Sequence, residues 1–209
     1  MRLQTGLMTA LMAVATFGML LVHDHAQGQT LSSQALVNAL RQGGNVIVMR
    51  HASSPMMPPD KQTANPDNVK LERQLDAKGR ADAIAMGGAL RDLEIPIGEV
   101  LTSPTYRALE TVRFALLANP RPYEELGDGG QSMQGIAEQQ AAWLREKVSH
   151  PPSPRTNTII VTHMPNLARA FPAWGAVAEG EAVILRPDGK GGTELVGRIK
   201  IEEWPRLPR

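Results

Sequence analysis

Two short apolar runs, NVIVM at residues 45–49 and TIIVT at residues 158–162, most strongly constrain what this chain can fold into. Both are rich in β-branched residues, and in neither do apolar and polar residues alternate. That pattern is typical of strands covered on both faces of a sheet. Residues 76–93 instead carry apolar residues at helical spacing. Buried strands that alternate with helices predict a mostly parallel sheet between helical layers.

The rest of the chain extends this alternation. Further elements are predicted in this order: a helix at 29–42 with Ser32 or Ser33 as its N-cap, a strand at 99–102, a helix opening at Ser103-Pro104 and running to about 117, a helix at 131–148 and a helix from about 165. The runs AVILRP and ELVGRIKI flank a DGKGG turn, which is typical of a β-hairpin. We therefore expect a three-layer α/β/α sandwich with a mostly parallel central sheet and a C-terminal β-hairpin.

The N-terminal segment has the layout of a secretory signal peptide. Arg2 precedes an uncharged apolar run over residues 7–22, and Ala26 and Gly28 suit the −3 and −1 positions of a cleavage site. We expect residues 1–28 to be removed and residues 29–209 to form one domain with no membrane span. The alternative is an uncleaved anchor, for which the apolar run is short. The chain has 0 cysteines, so an exported domain without disulfides suits a bacterial periplasm or secretion.

Composition excludes several classes of function. The formal net charge is only +1, so nucleic acid is not an expected partner. The sequence contains no glycine-rich phosphate loop with its lysine, no HExxH motif and no cysteine cluster. We therefore expect neither a cofactor nor a metal.

Cationic side chains follow three of the predicted strands. Arg50 and His51 come directly after the first, Arg107 lies one helical turn after the second, and His163 follows the third. Ligands bind beyond the carboxyl ends of strands in open α/β sheets, so these side chains are expected at one site. Singly, each has an ordinary structural explanation, but burying them together is costly unless an anion joins them. Phosphate suits guanidinium groups, and a neutral imidazole can attack phosphorus.

Three motifs carry a family resemblance. VMRHA, SP..RA.ET and VTHMPNL occur in the order found in the histidine phosphatase superfamily, in the branch that includes the cofactor-dependent phosphoglycerate mutases, and the similarity spans roughly residues 45–203. The resemblance implies that His51 attacks phosphorus and that Arg50, Arg107 and His163 bind the phosphoryl oxygens. Ala52 departs from the family pattern, which usually has glycine there, and its methyl group is expected to narrow the approach to His51.

The family often supplies a general acid from a segment after the second arginine. In this chain that segment is YEELGDGG, residues 123–130, in which Glu125 is the first candidate and Glu124 and Asp128 are the alternatives. A position over the site would raise the pKa of such a carboxyl and suit it to protonate the leaving oxygen. Four further residues are expected near the rim, each with an equally plausible structural role: Ser53, Arg73, Asn166 and Glu179.

These features predict an exported, metal-independent phosphomonoesterase that works through a phosphohistidine. Its substrate is expected to be a small-molecule phosphate ester or a phosphorylated envelope component. Two alternatives remain open. A mutase or phosphotransferase would use the same histidine and return the group to the substrate, and a non-catalytic protein would keep the phosphate pocket but lack a competent acid.

Overall fold

The computed structural model describes residues 31–55 and 72–209. The signal-peptide prediction and most of the predicted loop at 52–70 fall outside the described residues. The helices are α1 (Ser33–Gln42), α2 (Ala77–Asp92), α3 (Tyr106–Phe114), α4 (Ala137–Ser149) and α5 (Met164–Ala170). The strands are β1 (Val46–Arg50), β2 (Ile97–Thr102), β3 (Arg121–Pro122), β4 (Asn157–Thr162), β5 (Ala182–Pro187) and β6 (Thr193–Ile199). Three short 3-10 helices cover Glu124–Leu126, Pro172–Trp174 and Ile201–Arg206.

The six strands form one sheet in the order β3-β2-β4-β1-β5-β6. Strand β1 is parallel to β4, and β2 is parallel to both β4 and β3. Strand β5 is antiparallel to β1 and forms a hairpin with β6. The predicted sheet and its C-terminal hairpin are therefore confirmed.

Helices cover both faces of the sheet because β1 and β4 are apolar on both sides. Ile47 and Met49 pack into one hydrophobic cluster with residues of α1, α2 and α3, whereas Val46 and Val48 pack into a second cluster with α4 and α5. Successive side chains of a strand point to opposite faces, so one uninterrupted apolar run fills two cores. The three-layer sandwich is confirmed.

Close contacts and buried amides hold the layers in register. A Cβ built on Gly87 of α2 would lie 2.0 Å from the carbonyl oxygen of Ala115, just after α3, so the two helices approach at a distance that only glycine permits. At the start of β1 and β4, the side-chain oxygen of Asn157 accepts hydrogen bonds from the backbone N–H and side-chain amide of Asn45 (3.2 and 3.0 Å). Within residues 31–55 and 72–209, no helix is both long and apolar enough to cross a bilayer.

Two sequence predictions were wrong in detail, and one short strand was missed. Helix α3 begins at Tyr106 with Thr105 as N-cap, because the hydroxyl of Ser103 is bound to other groups and does not cap the helix. Helix α4 begins at Ala137 rather than at 131, because residues 131–133 turn around the carboxylate of Asp128. Strand β3 was missed since only two residues of it pair.

Candidate active site

The carboxyl ends of β1, β4 and β2 bring the predicted cationic side chains together. Arg50 is paired in register with Thr162, so His51 and His163 follow aligned positions on neighbouring strands. Their ring centroids lie 5.2 Å apart with an angle of 57° between the planes. Helix α3, which follows β2, contributes Arg107 from its first turn. The structure thus places residues from three distant parts of the chain at one edge of the sheet, as predicted.

These side chains line a pocket of about 430 Å³. Its polar wall consists of Arg50, His51, Arg73, Arg107, Asp128 and His163, and Gln131 adds a side-chain amide. Helix α5 contributes an apolar wall of Met164, Pro165 and Ala168. The volume lies within the range of small-molecule sites, about 300–1,000 Å³. A larger cavity of about 540 Å³ between α1, β6 and the 201–206 helix contains no histidine.

His51 is buried and held in one tautomer. Its Nδ1 lies 2.8 Å from the carbonyl oxygen of Ala52, and a carbonyl only accepts, so Nδ1 carries the proton and Nε2 keeps the lone pair in the neutral ring. Burial lowers the pKa of His51 well below its usual 6.5, and the charges of Arg107, Arg50 and Arg73 lower it further. The imidazole is therefore neutral near pH 7, which is the form that can act as a nucleophile.

The backbone around His51 is fixed by its neighbours. The N–H of His51 donates to Thr162 (3.0 Å), and the N–H of Ala52 donates to the hydroxyl of Thr111 (3.0 Å). The Ala52 methyl group is fully buried in the hydrophobic cluster on the α1–α3 side of the sheet, and Ala52 is not among the described residues that line the pocket. The expectation that this methyl narrows the approach to His51 was wrong.

His163 presents one ring nitrogen to hydroxyl groups, whereas the other has no partner in the part of the chain that the structure describes. Its Nε2 lies 2.9 Å from the Ser103 hydroxyl and 3.1 Å from the Thr105 hydroxyl. Its Nδ1 is buried and has no hydrogen-bond partner among the described residues. Burial, followed by the charge of Arg107, lowers the pKa of His163 well below the usual value. A neutral ring whose Nε2 accepts from a hydroxyl has an Nδ1–H available to a ligand.

Arg107 is oriented by a buried carboxylate. Its Nη2 donates to Asp128 (3.1 Å) and lies 3.3 Å from the Ser132 hydroxyl. The same carboxylate accepts backbone N–H groups from Gln131 (3.0 Å) and Ser132 (2.8 Å). Asp128 is thus engaged by several donors, and it fixes Arg107 from the side of the 128–133 turn.

Arg50 is held by a second carboxylate on the opposite side of β1. Its Nη2 forms an ion pair with Glu179 (2.9 Å), and its Nη1 donates to the carbonyl of Val177 (3.4 Å). Burial lowers the pKa of Arg50, although Glu179 opposes this effect. Glu179, predicted near the rim, therefore orients Arg50.

The structure separates the three candidates for the general acid. Glu124 and Glu125 lie in the 124–126 helix, and neither lines the pocket, whereas Asp128 does. The carbonyl of Glu125 accepts from the side-chain amide of Asn166 (3.0 Å), and the carbonyl of Leu126 accepts from Thr162 (2.8 Å). Of the two roles considered for Asn166, the contacts match the one that ties down this segment.

The SP..RA.ET motif contains positioning residues that sequence reasoning did not assign. On either side of the predicted Arg107, Ser103 contacts His163 and Thr111 holds the backbone beside His51. The carboxylate of Glu110 accepts the N–H of Leu75 (2.7 Å), which ties α3 to the start of α2. The only sequence signal for these roles was their place in the motif. Among the described residues, no group of three or more side chains is arranged to hold a metal ion.

Comparisons with known proteins were made by sequence and by structure. Neither the protein-family models nor the curated proteins match the sequence. Solved structures do. The protein histidine phosphatase SixA in complex with tungstate superposes with a TM-score of 0.55 at 17% identity, covering 76% of this chain and 98% of that one. The α-ribazole phosphatase from Shigella flexneri gives 0.51 at 18% identity, covering 72% and 94%. A mycobacterial glucosyl-3-phosphoglycerate phosphatase with inorganic phosphate gives 0.52 at 16%, covering 77% and 99%.

These structural neighbours belong to the histidine phosphatase superfamily. The chain shares their fold over nearly their whole length, which confirms the fold that the three motifs implied. At these identities the likeness concerns the fold, and the activity of this chain must be argued from its own pocket.

Proposed function

We propose that this chain is a phosphatase that hydrolyses a phosphate ester through a phosphohistidine at His51. One observation carries the proposal: two buried imidazoles with lowered pKa values share a pocket with Arg50, Arg73 and Arg107. Three cations at close quarters repel one another, and a phosphoryl group with up to two negative charges relieves that repulsion. The neutral Nε2 of His51 is the nucleophile that such a group requires.

In the proposed reaction, the lone pair on Nε2 of His51 forms a bond to phosphorus while the bond to the ester oxygen breaks. The leaving oxygen takes up a proton from a general acid and departs as an alcohol. The deprotonated acid then accepts a proton from the water that attacks phosphorus, the P–N bond breaks, and inorganic phosphate leaves with His51 neutral again. Arg50, Arg107 and Nδ1–H of His163 bind the phosphoryl oxygens and stabilise the charge that develops on them. Because arginines supply that positive charge, we propose that no metal takes part.

A chromogenic assay tests the reaction. Hydrolysis of p-nitrophenyl phosphate is expected from the wild-type chain, with no loss in EDTA. His51→Ala should abolish it, whereas the exposed His150→Ala should leave it unchanged. Activity of His51→Ala equal to wild type would remove the mechanism. Binding of inorganic phosphate without any turnover would instead favour the non-catalytic phosphate-binding alternative.

Two carboxylates can be compared as proton donors. p-Nitrophenolate departs without a proton, whereas an alkoxide needs one, so the general acid matters only for an alkyl ester such as glycerol 3-phosphate. Since Asp128 holds Arg107, Asp128→Asn is expected to slow both substrates to a similar degree. If Glu125 is the acid, as the sequence predicts, Glu125→Gln should slow glycerol 3-phosphate alone. Equal rates for Glu125→Gln and wild type on both esters would reject Glu125.

We also propose that the enzyme acts outside the cytoplasm, on a small phosphate ester or a phosphorylated envelope component. Arg2 followed by the apolar run over residues 7–22 supports export. N-terminal sequencing of the protein recovered from the periplasm or medium of a bacterial host is expected to find a chain beginning near Gln29. Recovery of the intact chain from the membrane would favour the uncleaved anchor.

A further inference from the structure

Arg73 belongs to none of the three motifs, yet it lies in the pocket. It precedes α2 and is only 8% exposed. It lines the same pocket as His51 and His163. A buried arginine beside two imidazoles is unusual unless the charge has a task, since taking a guanidinium out of water is costly.

Hydrogen bonds hold Arg73 in the same polar network as Arg50. Its Nε donates to the hydroxyl of Ser54 (3.1 Å), which in turn donates to the carbonyl of Gln74 (2.7 Å). The backbone N–H of Ser54 donates to Glu179 (3.4 Å), the carboxylate that orients Arg50. Ser54 therefore connects the two arginines, so that both are fixed on one side of the pocket.

The charge of Arg73 acts on the centre of the pocket. It lowers the pKa values of His51, His163 and Arg50, and its effect on His163 exceeds that of Arg50. Arg73 and the two rings line the same pocket, so this charge acts on the space that a bound phosphoryl group would occupy.

We propose that Arg73 is a third phosphoryl-binding arginine, which contacts the oxygens of the group that His51 attacks. This inference rests on the proposed function. A guanidinium offers five N–H donors in a fixed fork, a geometry that matches the oxygens of a phosphoryl group. The competing role is to bind a second acidic group on the leaving part of the substrate.

Inorganic phosphate separates these roles because it has no leaving part. Isothermal titration calorimetry would compare phosphate binding by the wild-type chain, Arg73→Gln and Arg206→Gln. Arg206→Gln is the matched control, because Arg206 is exposed and lies away from this pocket, so the substitution removes the same charge at a distant place. Loss of one charge-assisted contact predicts roughly 10- to 100-fold weaker binding for Arg73→Gln and no change for Arg206→Gln. Arg73→Lys, which keeps the charge without the fork, should bind with intermediate affinity.

A kinetic measurement adds a readout that folding alone would not change. With p-nitrophenyl phosphate, which has no second acidic group, Arg73→Gln is expected to lose activity while unfolding at a temperature close to that of Arg73→Lys. Phosphate affinity of Arg73→Gln equal to wild type would overturn the inference and leave the proposed function standing. A wild-type chain that binds no phosphate would overturn the proposed function, and the role of Arg73 with it.

Discussion

Acidification should destabilise the ligand-free protein through its two pocket histidines. His51 and His163 have pKa values well below the usual 6.5 in the folded state, chiefly because both are buried and secondly because Arg107 lies beside them. In the unfolded chain they ionise near 6.5, so below that pH the unfolded state binds more protons than the folded state. The stability present above pH 6.5 is therefore lost as the pH falls from 6.5 towards the lowered folded-state values.

The size of the effect follows from the proton count. Each histidine that stays neutral when folded but is charged when unfolded removes ~1.4 kcal/mol per pH unit, so the pair removes about 2.7 kcal/mol per pH unit over the range below pH 6.5 in which both rings stay neutral in the folded state. That is a large part of a stability of about 5–15 kcal/mol. Urea unfolding at several pH values measures it, and linear extrapolation gives the free energy of unfolding at each.

Carboxylates also contribute to the loss of stability on acidification, but their contribution is the same in every variant. Replacing one histidine at a time therefore isolates the contribution of that histidine. His51→Gln and His163→Gln should each reduce the loss of stability by ~1.4 kcal/mol per pH unit over that range, which is half of what the pair contributes. His150→Gln should have no effect, because His150 is exposed. If His51→Gln and His163→Gln lose as much stability as the wild type on acidification, the two rings are not held neutral, and the reasoning about the nucleophile fails.

Four other substitutions test the packing and the positioning contacts. Gly87→Ala should destabilise the protein by about 1–3 kcal/mol, because the added Cβ would lie 2.0 Å from a backbone atom. Gly88→Ala should stabilise the protein by about 1 kcal/mol, because nothing lies within 4 Å of the added Cβ. Thermal unfolding compares the two variants, and a change of stability in the same direction for both would contradict the contact at Gly87. Ser103→Ala removes one hydroxyl from His163 and should lower kcat for p-nitrophenyl phosphate roughly 5- to 10-fold, while urea unfolding should show a loss of only about 1–3 kcal/mol, so that the variant is still folded in the assay. Asn157→Ala breaks four hydrogen bonds and should cost about 3 kcal/mol in urea unfolding, a value that a loss below ~1 kcal/mol would refute.

The sheet and the place of the site were predictable because the relevant signals are local. A run such as TIIVT is apolar on both faces of its own strand, and the residue after a parallel strand lies at the ligand-binding edge whatever the loops do. Arg50, His51 and His163 could therefore be placed from their own neighbourhoods. To place Arg107, it was enough to predict the strand before it and the first turn of the helix that contains it.

The errors and omissions concern contacts between residues distant in sequence. Ser103 looks like an N-cap from its neighbours, but its hydroxyl is bound by His163, 60 residues away. Asp128 looks like part of a solvated turn, yet it binds Arg107 across 21 residues. The hydroxyl of Thr111 holds the backbone beside the nucleophile across 59 residues. No periodicity or spacing records such pairings, so only the folded chain reveals them.

The arrangement of charges explains how the pocket can hold these groups without unfolding the domain. Glu179 forms an ion pair with Arg50, and Asp128 forms one with Arg107. The imidazole rings of His51 and His163 stay uncharged. What the carboxylates do not supply is an anion at the centre, where the effects of all three arginines overlap. A phosphoryl group brings that charge with it, so the interactions that stabilise the bound group exist only when it arrives. On the proposed mechanism, the positive charge that adds to burial in keeping His51 neutral is also what binds the group that His51 attacks.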